Sequence, residues 1–240
     1  GVYSMRIVVK VGTSTLAHAT GRLNIRHVEE LVKVLSDLKN AGHQVILVSS
    51  GAIGMGVGKL NLPGKPSDMP TKQAAAAVGQ CELMYTYDKL FLQYNHTVAQ
   101  VLLTGEDVDH PERRENFENT MERLLELGAL PVINENDTIA TAEIKVGDND
   151  TLGAIVACCT KADLLVLLSD IEGLYTADPR KDPDAKLIPT VEEVTPEIEA
   201  AKMVTAQGCD MVITNGEHPE RLYDIAEGKD VGTRFVAHKA

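Results

Sequence analysis

The chain has 240 residues, with 23 Lys and Arg against 35 Asp and Glu, a formal net charge of -12, four cysteines and no tryptophan. At this length it can bury roughly 70–75% of the surface that its unfolded form exposes, so it folds without disulfide or metal staples. Apolar and charged fractions of 44% and 24% exclude collagen-like, disordered and disulfide-scaffold classes. The acidic balance argues against a nucleic-acid or membrane-surface partner, so an anionic ligand would need a local cationic pocket.

In chain order, Arg6 to Val11 reads as a first strand. Ile25, Val28, Leu31, Val32, Leu35 and Leu38 then recur at helical spacing, with Asn24 to cap the helix and Gly42 to follow it. Val45 to Val48 is apolar throughout and predicts a strand covered on both faces. A mainly helical stretch from Lys72 to Tyr94 precedes a strand from Val98 to Leu103, a helix from Glu115 to Leu127 ended by Gly128, and a strand from Leu130 to Ile133. Thr138 to Val146 alternates like a hairpin or edge ribbon. A helix from Asp150 to Lys161 leads into a buried strand from Leu164 to Leu168. Beyond a polar, Pro-rich stretch from Asp178 to Pro189 come a helix near Ala201, a strand at Met211 to Ile213, and a helix from Pro219 to Glu227 closed by Gly228. The alternation of buried strands and amphipathic helices predicts a doubly wound α/β sheet.

Cys81, Cys158, Cys159 and Cys209 form no C-x-x-C pair and read as small buried apolar residues in a reducing cytosol. No run approaches the roughly 18 apolar residues that span a bilayer. The start lacks a signal pattern, and Met5 is expected as the native first residue, with residues 1–4 an added remnant.

Ligands of open parallel sheets gather at the carboxyl ends of the strands, where this sequence concentrates small and polar residues. Lys10-Val11-Gly12-Thr13-Ser14 follows the first strand, Ser49-Ser50-Gly51 the second, Asn134-Glu135-Asn136-Asp137 the fourth and Ser169-Asp170 the fifth. Lys145 to Asp150 follows the ribbon. Gly51 to Gly58 reads either as a flexible connection or as a backbone cradle for an anion. A Walker A loop fails here, because Ile53 stands five positions before Gly58 and Leu60 follows Lys59. A G-x-G-x-x-G loop fails because Lys59 takes the third glycine's place. Lys10 could set an ammonium over an anion or be a solvated lysine. Asp148, Asn149 and Asp150 could form only a turn and an N-cap, and Asn134 and Asp137 could be turn formers. The histidines at 18, 27, 43, 96, 110, 218 and 238 show neither metal-ligand nor nucleophile spacing and receive no role.

Taken together, Val8-Val9-Lys10-Val11-Gly12-Thr13-Ser14, Ser49-Ser50-Gly51-Ala52-Ile53, Pro131 to Asp137, Ala142 to Asp150 and Gly173 to Arg180 resemble the glutamate 5-kinase branch of the amino acid kinase superfamily. The resemblance runs from about Met5 to Ala237 and implies a three-layer αβα sandwich with a mostly parallel central sheet. It also implies one amino acid kinase domain over 5–238 without a C-terminal PUA domain. The activity it implies is ATP-dependent phosphorylation of the L-glutamate side-chain carboxylate to L-glutamyl 5-phosphate, the first step of proline biosynthesis, in the cytoplasm. By the same resemblance Lys10 and Asp150 are catalytic, and Lys10, Gly12, Gly51, Ser169 and Asp170 bind the nucleotide and its phosphates. Ser50, Asn134, Asp137 and Asn149 hold glutamate. ATP and Mg²⁺ are the implied cofactors, with no metal bound by protein residues alone. The implied partners are L-glutamate, L-proline as feedback inhibitor, glutamyl phosphate reductase as product acceptor and further copies of the chain, with no nucleic acid and no membrane.

One departure stands out. The family carries a Gly-Thr-Gly-Gly-Met-x-Thr-Lys segment after its Val-Thr-Pro-Glu-Ile region, whereas here Glu199-Ala200 runs straight into Ala201-Lys202-Met203. Either a loop is omitted from this sequence, which is the expectation, or a true deletion impairs the kinase. Lys202 matches a later position and is not given the missing lysine's role.

Overall fold

The computed structural model describes residues 4–135, 150–170, 173, 184, 186–191 and 199–238. The expected ribbon, Asp137, Asn149 and the motif from 174 to 180 lie outside the described residues. Eight strands form one sheet in the order β3-β4-β2-β1-β5-β7-β8-β6. These are β1 (Arg6–Val11), β2 (Gln44–Ser49), β3 (Val98–Leu103), β4 (Leu130–Glu135), β5 (Leu164–Ser169), β6 (Thr190–Val191), β7 (Asp210–Asn215) and β8 (Thr233–Phe235). Among the described residues, all strand pairings are parallel except that of β7 with β8. The helices are α1 (Thr13–Leu16), α2 (Ile25–Asn40), α3 (Ala52–Lys59), α4 (Met69–Leu92), α5 (Gly105–Asp109), α6 (Pro111–Glu126), α7 (Asp150–Cys159), α8 (Glu199–Thr205) and α9 (Arg221–Ala226).

The period of two along β1 divides the core. Ile7, Val9 and Val11 pack with residues of α2, α4 and α9 on one face, while Val8 packs with residues of α6, α7 and α8 on the other. Both faces are therefore covered, which is why the central strands are apolar at nearly every position. The result is the expected three-layer αβα sandwich.

The predicted boundaries of β1 and β3 agree with the structure, and α2 is capped as expected, the Asn24 side chain accepting from the His27 N–H. Gly42, Gly128 and Gly228 take positive φ after their helices, the conformation that ends a helix at least cost for glycine. The short α1, α5, β6 and β8 had no sequence signal long enough to establish a period. Cys159 and Cys209 are buried, their thiols pushed up to about 11 and about 12 by desolvation, so they behave as the small apolar residues expected. Cys81 does not: it is exposed, because the buried stripe of α4 passes through Ala76, Leu83, Tyr87 and Phe91 and leaves position 81 outside.

The glycine-rich run after β2 is neither a flexible connection nor a loop. Ala52–Lys59 is the helix α3, with Gly51 at its N-cap in the left-handed region at φ 101°. Its glycines serve contact: a Cβ on Gly56 would overlap the Ala75 carbonyl, and one on Gly79 the Ala52 carbonyl. Helices α3 and α4 thus meet backbone to backbone. Helix propensity alone predicts that Gly79→Ala stabilises by about 1 kcal/mol; the overlap reverses the sign. Gly56→Ala and Gly79→Ala should each lower unfolding free energy by about 2 kcal/mol or more, measured in urea.

Candidate active site

The carboxyl ends of β4, β2, β1 and β5 are consecutive in the sheet, and each delivers one group of the expected site. Three steps of roughly 4.8 Å between strands give a span of about 14 Å, on the scale of an extended polyphosphate with a small acceptor beside it. The connection after β1 runs to β2 on one side and that after β5 runs to β6 on the other, so the boundary between β1 and β5 is where a parallel sheet opens a crevice.

Lys10 lies on the central strand, paired with Val48 of β2 and Leu167 of β5, and is 4% exposed. Its Nζ sits 3.0 Å from Oδ1 of Asp150 at the start of α7. The lysine stem runs past Gly153, where a Cβ would stand 3.4 Å from the Lys10 Cβ. A Cβ on Gly12 would stand 3.5 Å from Nζ itself. Glycines thus flank both stem and head, leaving the ammonium open to a ligand on the Gly12 side.

Gly12 and Gly51 are the N-caps of α1 and α3. Lacking side chains, they give the first-turn N–H groups no side-chain cap, an arrangement suited to anions. The two turns are adjacent, since a Cβ on Gly51 would lie 3.7 Å from the Thr13 Cα. Ser50 ties them together: its N–H and its hydroxyl both reach the Val11 carbonyl oxygen, at 3.1 and 3.2 Å. On the far side, the Gly216 N–H donates to the Ser169 carbonyl at 2.7 Å, and the Ser169 hydroxyl lies 3.3 Å from Oδ1 of Asp170. A Cβ on Gly216 would overlap the Thr15 hydroxyl, so the end of β7 closes against α1.

Asn134 is 2% exposed, and its Nδ2 donates to Oε1 of Gln80 at 3.0 Å. Ser49 and Tyr87 share a buried hydrogen bond of 2.9 Å, while the Ser49 hydroxyl also donates to the Ser50 carbonyl at 3.2 Å. Burial pushes the Tyr87 phenol well above its ordinary value, so it stays protonated. Gln80 and Tyr87 were not expected. Their signal was available as polar groups at a spacing of seven, and so on the face of α4 that carries its buried stripe.

Of the expected residues, Lys10, Gly12, Ser50, Gly51, Asn134, Asp150, Ser169 and Asp170 all lie at these strand ends, whereas Asp137 and Asn149 lie outside the described residues. Lys202 is exposed on α8. Among the described residues no three His, Cys, Asp or Glu side chains converge as a metal site, and no helix is long and apolar enough to cross a membrane.

Residues 5–215 match the model of the amino acid kinase family. A glutamate 5-kinase from Clostridium perfringens is 49% identical over 260 residues, covering 98% of this chain and 97% of its own. One from Clostridium tetani is 52% identical over 253 residues, covering 97% and 95%. These alignments are longer than the 240-residue chain, so they contain positions at which the relatives have residues and this chain has none. Among solved structures, isopentenyl phosphate kinase from T. acidophilum has a TM-score of 0.68 at 22% identity, covering 96% of this chain and 99% of its own. Carbamate kinase from Giardia lamblia, bound to AMP-PNP, has 0.69 at 16%, covering 99% and 100%. Both share the fold.

The burial asymmetry of the Lys10–Asp150 pair leads to a stability test. Removing the carboxylate strands a buried ammonium, whereas removing the ammonium leaves a carboxylate that water reaches. Asp150→Ala should therefore destabilise by about 2 kcal/mol and Lys10→Met by less than about 1 kcal/mol in urea unfolding.

Proposed function

The chain belongs to the amino acid kinase family, and from that premise we propose that it phosphorylates the side-chain carboxylate of L-glutamate with ATP. The product is L-glutamyl 5-phosphate, and the reaction is the first step of proline biosynthesis. The observation that carries this reading is the buried Lys10 ammonium, held by Asp150 between two glycine-capped helix starts, in a chain about half identical to glutamate 5-kinases.

The acceptor is already anionic at neutral pH, so the reaction calls for no general base. A carboxylate oxygen of glutamate forms a bond to the γ-phosphorus as the bond to the bridging oxygen breaks and ADP leaves. What the protein must provide is alignment and positive charge around the transferred group. Lys10 supplies the charge, Asp150 directs it, and the N–H groups following Gly12 and Gly51 receive phosphate oxygens. Ser50 and Asn134, with Asp137 and Asn149, hold glutamate, Asp137 pairing with its ammonium. Ser169 and Asp170 border the nucleotide. Asp150 and Asp170 would be the carboxylates to help hold a Mg²⁺ ion arriving with the nucleotide, which would supply charge neutralisation. On this reading the protein is cytoplasmic, consistent with its free thiols, passes its labile product to a reductase, is inhibited by proline and assembles with further copies of itself.

A second reading is favoured by the junction at Glu199-Ala200-Ala201-Lys202, where the family's glycine and lysine segment is missing: an amino-acid-binding protein without turnover. Incubation with ATP, Mg²⁺, glutamate and hydroxylamine distinguishes the two. The kinase reading predicts glutamyl hydroxamate, with weaker product from aspartate or N-acetylglutamate. Calorimetric binding of glutamate without hydroxamate would overturn it in favour of the second reading. Lys10→Ala should lower kcat by about 10²-fold or more, measured as ADP release.

A further inference from the structure

We infer that Ser49 is a positioning residue for phosphoryl transfer: its hydroxyl, oriented by Tyr87, fixes the peptide between Ser50 and Gly51 so that the Gly51 N–H faces the transferred group. The inference rests on the kinase reading above and on two hydrogen bonds made by one buried hydroxyl. Gly51 holds φ 101°, yet glycine takes either sign of φ at little cost. Sterics alone therefore do not keep the peptide plane before it from flipping, and something else must.

Ser49 is 0% exposed. Its Oγ donates to the Ser50 carbonyl at 3.2 Å and lies 2.9 Å from the Tyr87 hydroxyl. A serine hydroxyl carries one proton. With that proton on the carbonyl, Tyr87 is the donor to Ser49, and its buried phenol stays protonated to serve as one. The direction of the relay is thus set by a main-chain acceptor at its end, Tyr87 to Ser49 to the Ser50 carbonyl. Among the described residues no other group bonds to that carbonyl, and nothing accepts from the Gly51 N–H.

Peptide geometry converts this hold into an aim. In a planar trans peptide the C=O and N–H point in opposite directions, so a carbonyl drawn toward Ser49 and α4 turns the Gly51 N–H away from α4. Val11 and Ser49 are paired in register, and Val11 and Tyr87 share the core on the α2 and α4 face. Lys10, one residue earlier, belongs by the period of two to the opposite face, where its stem meets Gly153 of α7. The Gly51 N–H is therefore turned toward the side of the sheet that carries the ammonium. Ser50 is held separately, since its own N–H and hydroxyl reach the Val11 carbonyl. Losing the Ser49 hydroxyl should then disturb the phosphoryl donor and leave the glutamate contact of Ser50 in place.

Steady-state kinetics of the full chain, read as ADP release with ATP, Mg²⁺ and glutamate, test this with three variants. Ser49→Ala should lower kcat about tenfold, short of the roughly 10²–10³-fold that follows outright loss of such a donor, with the glutamate KM within about threefold of the parent. Tyr87→Phe keeps the ring and leaves the Ser49 hydroxyl unoriented, and should lower kcat about threefold. Ser49→Thr keeps the hydroxyl and should return kcat to within about twofold. An unchanged kcat in Ser49→Ala, a Ser49→Thr variant no better than Ser49→Ala, or a glutamate KM that rises as much as kcat falls would overturn the positioning role. If Ser49→Ala does not fold, Tyr87→Phe decides, and parental turnover in that variant overturns the inference. A parent chain without turnover defeats the kinase reading and this inference with it, whereas an active parent with unaffected variants defeats the inference alone.

Discussion

An ammonium group buried at the end of a central strand loses most of its hydration, and the surrounding site is arranged to offset that loss. Lys10 is 4% exposed and its compensation comes from Asp150 at 3.0 Å. Such a pair stabilises the fold weakly, because desolvation costs about as much as the attraction returns. Its value lies in aiming a cation at the strand ends from a position where its own hydration is reduced. In a protein of net charge -12, that local arrangement is the one on which the proposed meeting of an anionic nucleotide and an anionic acceptor rests. The demand for space follows directly: Gly12 beside the ammonium and Gly153 beside the stem leave the lysine room to lie flat against α7.

The other half of the crevice depends on a backbone contact. Gly56 and Gly79 let α3 and α4 approach until carbonyl oxygens occupy the places of side chains. This brings α4 close enough for Gln80 and Tyr87 to reach groups at the ends of β4 and β2. Packing and polarity are therefore joined: the same helix that buries Leu83 and Phe91 in the core carries the hydrogen-bonding groups that steady the strand ends. On the proposed reading, the acceptor side of the crevice is built from helix contacts and the phosphate side from helix starts.

The sequence made much of this legible. Apolar strands such as Val45 to Val48 and the three-and-four spacing of Ile25 to Leu38 announce a layered α/β fold, because burial on two faces and on one face leaves different periods. The strand-end residues Lys10, Gly12, Ser50, Gly51, Asn134 and Ser169 could be collected before their geometry was known, since parallel strands place their carboxyl ends together. What escaped was long-range. Gly56 and Gly79 looked like loop and helix residues because the carbonyls they accommodate belong to another helix, and composition alone cannot distinguish glycine kept for contact from glycine kept for flexibility. Gln80 looked like one more polar residue on a helix, because its partner Asn134 is 54 positions away.

The central claim is that the Lys10 ammonium acts on charge that develops during phosphoryl transfer, and not chiefly on bound ATP. Calorimetric titration of ATP with Mg²⁺ into Lys10→Met, set beside the variant's kcat, tests it most directly. The account predicts an ATP dissociation constant within about tenfold of the parent while turnover falls by about 10²-fold or more. A dissociation constant weakened as much as turnover, or turnover that survives the substitution, would contradict it.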